Sequence, residues 1–216
     1  MMPKSFVESG LGTVVIVGDC TDILTESCSD SVVASSEMHS DKSKHNCAMG
    51  LAWVTPNGYV ALACDLFCGR TSENEACLAC APAFAKIPHK YALMYDKGVA
   101  KLQVHLENMN QVCMMHEYLV STPPCSPNSC PSRPSSQVIT PCFLRKLKRF
   151  SVAQGCRNRG ITSNRYIAEL PFARAKQWAF LGGISKAEDA HLLNSVWWWS
   201  LGFQNLVCKD LKPPKL

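Results

Sequence analysis

Thr13-Val-Val-Ile-Val-Gly-Asp-Cys-Thr21 is the stretch whose reading decides the fold. Consecutive valine and isoleucine residues run straight into Gly18 and Asp19, a pattern that reads as a short strand buried on both faces. Gly18 permits close approach of another group to the backbone, and Asp19 is placed at the strand's carboxyl end. In open α/β sheets ligands bind at that end. A carboxylate there needs a cation, a hydrogen-bond donor or solvent. Whatever meets Asp19 comes from elsewhere in the chain.

With 216 residues the chain suffices for one good-sized domain. A charged fraction of 18% against 47% apolar is ordinary globular usage, which excludes a disordered chain. The net charge of +5 is a mild excess, compatible with a nucleic-acid partner. Thirteen cysteines, an odd number at irregular spacing, read as mostly reduced intracellular thiols rather than a secreted disulfide scaffold. The first apolar run has Glu8 before it and Asp19 closing it, without a small-x-small cleavage site, so it is not read as a signal peptide. Leu192 to Phe203 is too short and too polar to span a bilayer, and no membrane partner is expected.

Residues 1–12 read as a frayed lead-in, 13–206 as the domain and 207–216 as a tail. No DNA-binding module is recognised ahead of the first strand. Residues 27–41 are polar and serine-rich, a loop or short helix. Asn46–Trp53 and Tyr59–Leu66 flank Pro56-Asn57-Gly58, and Asn-Gly is the strongest short hairpin marker because both residues tolerate positive φ. Ser72 caps a helix over Glu73–Ala85. Tyr91–Tyr95 repeats the opening pattern and ends in Asp96-Lys97-Gly98. Ser121–Cys142, with six prolines, reads as a long irregular insertion. Phe143–Phe150 follows as a basic amphipathic segment. A helix over Asn164–Gly182 carries Glu169, with Pro171 tolerated only near its start, and a tryptophan-rich packing helix covers residues 186–206. The order β, hairpin, α, β, insertion, α is that of a mixed α/β domain, and it matches the ribonuclease-H-like fold, a mixed sheet with helices on both faces.

Two aspartates on strand ends and a glutamate on a later helix, Asp19, Asp96 and Glu169, form the candidate catalytic and metal-binding set. Carboxylates brought together need a counter-charge. Hard oxygen ligands suit Mg²⁺ or Mn²⁺. Two such ions about 3.5–4 Å apart serve both oxygens of an in-line phosphoryl displacement. The alternative is three ordinary carboxylates facing water.

The motifs occur in the order found in DDE transposases, and the chain resembles the nuclease domain of the PIF/Harbinger-like DDE-superfamily endonucleases. Val15-Ile-Val-Gly-Asp19-Cys-Thr21 resembles the first-aspartate strand. Ser43-Lys-His-Asn46 with Thr55-Pro-Asn-Gly58 resembles the K-x-H-N … P-x-G stretch. Asp65 through Ser72-Glu73 resembles the G-x-x-S-D turn, Tyr95-Asp-Lys-Gly98 resembles A-D-K/R-G, and Asn164-Arg-Tyr-Ile-Ala-Glu169 through Trp178 resembles R-x-x-V-E…K-x-W. The resemblance implies a ribonuclease-H-like fold, divalent metal held by Asp19, Asp96 and Glu169, and DNA cleavage with strand transfer. It also implies DNA as partner at transposon ends or target, a nuclear location, a separate DNA-binding partner protein and a homo-oligomer. Where the family's turn carries Asp, this chain has Glu73, a candidate neighbour of the metal whose extra methylene would displace its carboxylate. Glycine stands where an apolar residue is expected before Asp19, and Val99 where an aromatic is. A domesticated or decayed derivative that binds DNA or protein without cleaving it is the alternative function.

Arg145, Lys146, Lys148, Arg149, Arg165, Arg174 and Lys176 are candidate DNA contacts, their other reading being a solvated helix face. Cys77-Leu-Ala-Cys80 has no second C-x-x-C, so buried thiols are expected rather than zinc. Cys113, His116, Cys125 and Cys130 are a looser candidate zinc set. Trp197, Trp198 and Trp199 are expected to pack in the core rather than stack on bases, since three in a row cannot face one groove.

Overall fold

The computed structural model describes residues 2–27, 31–84, 87–88, 90–96, 101–108, 137–142 and 149–207. Its centre is β1 (Val14–Leu24), flanked by β3 (His45–Val54) antiparallel and β6 (Ala92–Met94) parallel. β7 (Gln137–Ile139) extends the sheet parallel to β6. Along the outer edge of β3 lie β2 (His39–Ser40), β5 (Phe67–Cys68) and β4 (Val60–Ala63), all antiparallel to it. The path β4-β3-β1-β6-β7, antiparallel on one side of β1 and parallel on the other, is the mixed sheet that the element order predicts.

β1 distributes its side chains between two helical layers, with alternation interrupted by an irregularity in its pairing with β6 between Val14 and Ile16. Ile16 joins Trp53, Leu93 and Tyr95 under α3 (Glu73–Phe84) and α4 (residues 102–108), whose Leu102 and Leu106 are buried there. Val14 and Val17 face the other way with Ala92 and Met94, against Ile161, Ile167 and Ala168 of α5 (Val152–Ala175). Ile23, Ala48 and Ala52 lie under α6 (Ala179–Gly182) and α7 (Ala190–Val207), where Trp197 and Leu201 fill the core. Helices thus cover both faces.

Gly18 is paired with Trp53 across β1 and β3. A Cβ there would stand 2.5 Å from the Trp53 ring and 2.6 Å from that of Tyr95, so the backbone approach anticipated at this glycine is made by the chain's own aromatic core. Trp53 also packs edge-on against Phe84, with ring centroids 4.4 Å apart.

Several expectations need correction. Asp19 does not end its strand: β1 runs on to Leu24, because β3 continues to pair with it as far as Cys47. The hairpin forms, but its loop spans residues 55–59, and of the Asn-Gly pair only Gly58 takes positive φ, at 89°. The lead-in is not frayed throughout. α1 (Lys4–Glu8) buries Phe6, and the Asn164 amide of α5 donates to Ser9 Oγ at 3.2 Å. Residues 27–41, expected as a loop or short helix, do hold the short helix α2 (Val32–Met38), and β2 follows it. Within the insertion expected to be irregular, residues 137–139 are β7, because the free edge of β6 supplies pairing for even a three-residue strand.

The Glu169 helix starts at Val152, twelve residues before the expected start. Ser151 and Gln154 close a capping box, which satisfies two N-terminal amide donors and lets the helix begin ahead of its glycines. Pro171 consequently lies within α5, in its last turns rather than near its start. Gln204 Nε2 donates to the Pro171 carbonyl at 2.9 Å, so tertiary packing from α7 supports the region where the proline removes a helical donor. The basic segment 143–150 lies outside the described residues except for Arg149 and Phe150, both exposed. Among the described residues no helix is long and apolar enough to cross a membrane.

Candidate active site

The parallel register sets Val17 beside Met94, where β6 ends, while β1 continues. Two residues further on stand Asp19, still within β1, and Asp96, just beyond the end of β6. The site is therefore at the carboxyl end of β6, where β1 loses its parallel neighbour and a sheet face opens. Asp19 pairs with Ala52 in the β1–β3 register, and α5 crosses the face on which its carboxylate stands.

From α5 comes Arg165, whose guanidinium collects all three predicted carboxylates. Its Nη1 lies 3.6 Å from Asp19 Oδ1 and 3.3 Å from Asp96 Oδ2. Its Nη2 donates a hydrogen bond of 3.2 Å to Glu169 Oε1, one helical turn later on the same face. Asp19 is the most enclosed, with 15% of its side chain exposed, against 40% for Asp96 and 55% for Glu169. The structure thus brings together Asp19, Asp96 and Glu169, and it adds Arg165, which sequence reasoning had assigned to DNA contact. The signal that could have found it was the Arg165–Glu169 spacing of four residues on one helix.

Burial pushes the Asp19 carboxyl up from 3.8 to about 6. The Arg165 charge and the Cys20 backbone N–H, which donates to Asp19 Oδ1 at 3.0 Å, pull it back without cancelling that effect, and Glu169 and Glu73 add repulsion. Asp19 is therefore a carboxylate short of positive charge. Glu73 does not join the cluster: it opens α3 and takes a 2.8 Å ion pair from Lys42.

Three carboxylates are hard oxygen donors suited to Mg²⁺ or Mn²⁺, and the raised Asp19 is a ligand that a dication would stabilise. The donors fit. Their spacing follows the guanidinium, and among the described residues no three Asp, Glu, His or Cys side chains stand close enough to share one ion in this arrangement.

On the opposite sheet face, beneath the acidic cluster, Cys20 Sγ lies 3.0 Å from the Tyr95 hydroxyl. Burial raises the Cys20 and Tyr95 groups and pushes the Cys77 thiol up to about 12, which keeps all three protonated and makes the thiols poor nucleophiles. Cys80, the other half of the C-x-x-C, has its Sγ against that of Cys64. The candidate zinc set Cys113, His116, Cys125 and Cys130 lies outside the described residues, as do Arg145, Lys146 and Lys148. Arg174 is half-buried and Lys176 exposed. The three tryptophans divide: Trp197 is buried and donates to the Cys64 carbonyl at 3.0 Å, Trp198 donates to Asp65 Oδ1 at 2.9 Å, and Trp199 is 74% exposed.

A mixed sheet with two aspartates at its switch point and a glutamate on the crossing helix defines a nuclease-type fold of the ribonuclease-H kind. A family model described as DDE superfamily endonuclease matches residues 18–197, and the chain belongs to that family. Comparison with the curated proteins and with the solved structures gives no match.

Proposed function

We propose that the chain is a transposase-derived nuclease domain of the PIF/Harbinger-like kind, which cleaves DNA phosphodiester bonds with divalent metal held by Asp19, Asp96 and Glu169. The observation that carries this reading is the convergence of these carboxylates, from β1, the end of β6 and α5, on one cation. Family membership supplies the substrate class, DNA, and strand transfer follows as the companion reaction when the attacking oxygen is a DNA hydroxyl instead of water. When bound, the metal supplies Lewis acidity at the phosphate and lowers the pKa of the attacking water. Asp19 contributes the enclosed ligand, fixed by the β1–β3 ladder and by the Cys20 amide. Asp96 and Glu169 are more exposed and form the open side that admits a phosphate. In this reading Arg174, on α5, and Arg149 and Lys176, flanking its two ends, offer phosphate contacts of the salt-sensitive kind.

Plasmid nicking in Mg²⁺ or Mn²⁺ tests the reading by comparing wild type with Asp96→Ala. Loss of at least about a hundredfold in rate is expected for a ligand of the catalytic metal. Equal rates in the two proteins would remove the assignment. A wild type without activity, yet retaining DNA affinity, would instead favour the decayed, DNA-binding derivative, for which Glu73 in place of the family's Asp is the motivating observation. Nuclear residence and a separate DNA-binding partner are part of the same proposal, and localisation of the tagged chain in cells tests the first of them.

A further inference from the structure

Arg165 presents a conflict of charge: the position where three carboxylates meet, which a dication would take, holds a guanidinium. Its contacts to Asp19 and Asp96, 3.6 and 3.3 Å, are longer than the 2.7–2.9 Å of strong charge-assisted hydrogen bonds. The one hydrogen bond it makes within the cluster, to Glu169, is local to α5 and survives small shifts of that helix relative to the sheet. Its side chain is 22% exposed, at the edge of the site, and an arginine stem is long enough to carry its head into water. Lys42, a cation beside the start of α3, is engaged by Glu73.

We propose that Arg165 is the site's resident counter-cation, which holds the three carboxylates in a closed, metal-free state and leaves when a divalent ion enters. The inference rests on the metal reading of the cluster and adds a two-state device to it. A binding-competent state that is only fractionally populated lowers apparent affinity by that fraction. Arg165 therefore weakens metal binding while stabilising the metal-free fold, whose buried carboxylate would otherwise have the Cys20 N–H but no counter-charge.

Titration of the full chain with Mn²⁺, by calorimetry and by the electron-spin signal of free Mn²⁺, tests this without any activity measurement. Arg165→Gln should bind Mn²⁺ roughly tenfold or more tighter than wild type. Arg165→Lys keeps a cation against Asp19 but cannot span all three carboxylates, so it should fall between the two, and it decides the matter if the glutamine variant fails to fold. Lys42→Gln removes an equal charge from the exposed neighbouring pair and should change affinity by less than about twofold. If wild type binds Mn²⁺ and neither Arg165 variant binds it tighter, the counter-cation role is overturned while the metal site stands. If Lys42→Gln tightens binding as much as Arg165→Gln, the effect is general charge and the role is likewise overturned. If no variant binds Mn²⁺, the metal reading falls and this inference with it.

Discussion

Asp19→Asn should stabilise the metal-free protein while removing a metal ligand. Burial raises the folded-state pKa of Asp19 from 3.8 to about 6 even with Arg165 beside it. Between those values the folded chain binds a proton that the unfolded chain has released, so stability falls as pH rises through the window. Below 3.8 the group is protonated in both states and has no effect. Above about 6 it is ionised in both, and the full penalty applies: a shift of about two units at about 1.4 kcal/mol per unit gives about 3 kcal/mol. Asparagine is nearly isosteric with the neutral acid and escapes that penalty. Urea unfolding of both proteins, without divalent metal, should give equal stabilities near pH 3.5, a gap opening between pH 4 and 6, and a plateau near 3 kcal/mol in favour of Asp19→Asn at pH 7. Adding Mg²⁺ should close part of the gap by stabilising only the wild type. An Asp19→Asn protein no more stable than wild type at pH 7 would refute the reasoning, because it would mean that Arg165 fully compensates the buried charge.

Other substitutions test the frame that positions the site. Gly18→Ala places a methyl 2.5 Å from the Trp53 ring, which is fully buried and cannot retreat, and should cost about 1–3 kcal/mol by denaturant midpoint. Trp197→Ala empties the core beneath α7 and should cost about 3–5 kcal/mol, whereas Trp199→Ala, on the exposed side, should stay within about 0.5 kcal/mol. Glu169→Gln should keep the fold and the Arg165 hydrogen bond yet lose metal-dependent nicking, a separation that circular dichroism and the plasmid assay together detect.

The residues that made the fold legible were those whose environment is local or repetitive. Val14–Val17 and Tyr91–Tyr95 announce buried strands by continuous apolarity, and the Asn57-Gly58 turn announces the hairpin between them. What stayed hidden depended on distant partners. Gln137–Ile139 carries too short a pattern to outweigh its Pro/Ser-rich surroundings, and it becomes a strand because β6 offers an edge. The first half of α5, ahead of the expected start at Asn164, carries Gly155 and Gly160, which are poor helix residues. It is a helix because Ser151 and Gln154 cap it and because Asn164 is spent on α1. In the site, Asp19, Asp96 and Glu169 stood out because carboxylates beside buried strands or within a motif are conspicuous. Arg165 did not, because an arginine among other arginines reads as a surface charge until the sheet beneath it is known. Asp19 itself was placed at a strand end, whereas it is β6 that stops there and β1 that carries on.

The most direct test of the central claim is anomalous diffraction from crystals equilibrated with Mn²⁺. A manganese peak bounded by the Asp19, Asp96 and Glu169 carboxylates, with Arg165 turned out of the cluster, is the predicted result. Manganese absent from the cluster, with Arg165 still bridging the three carboxylates at saturating Mn²⁺, would contradict it.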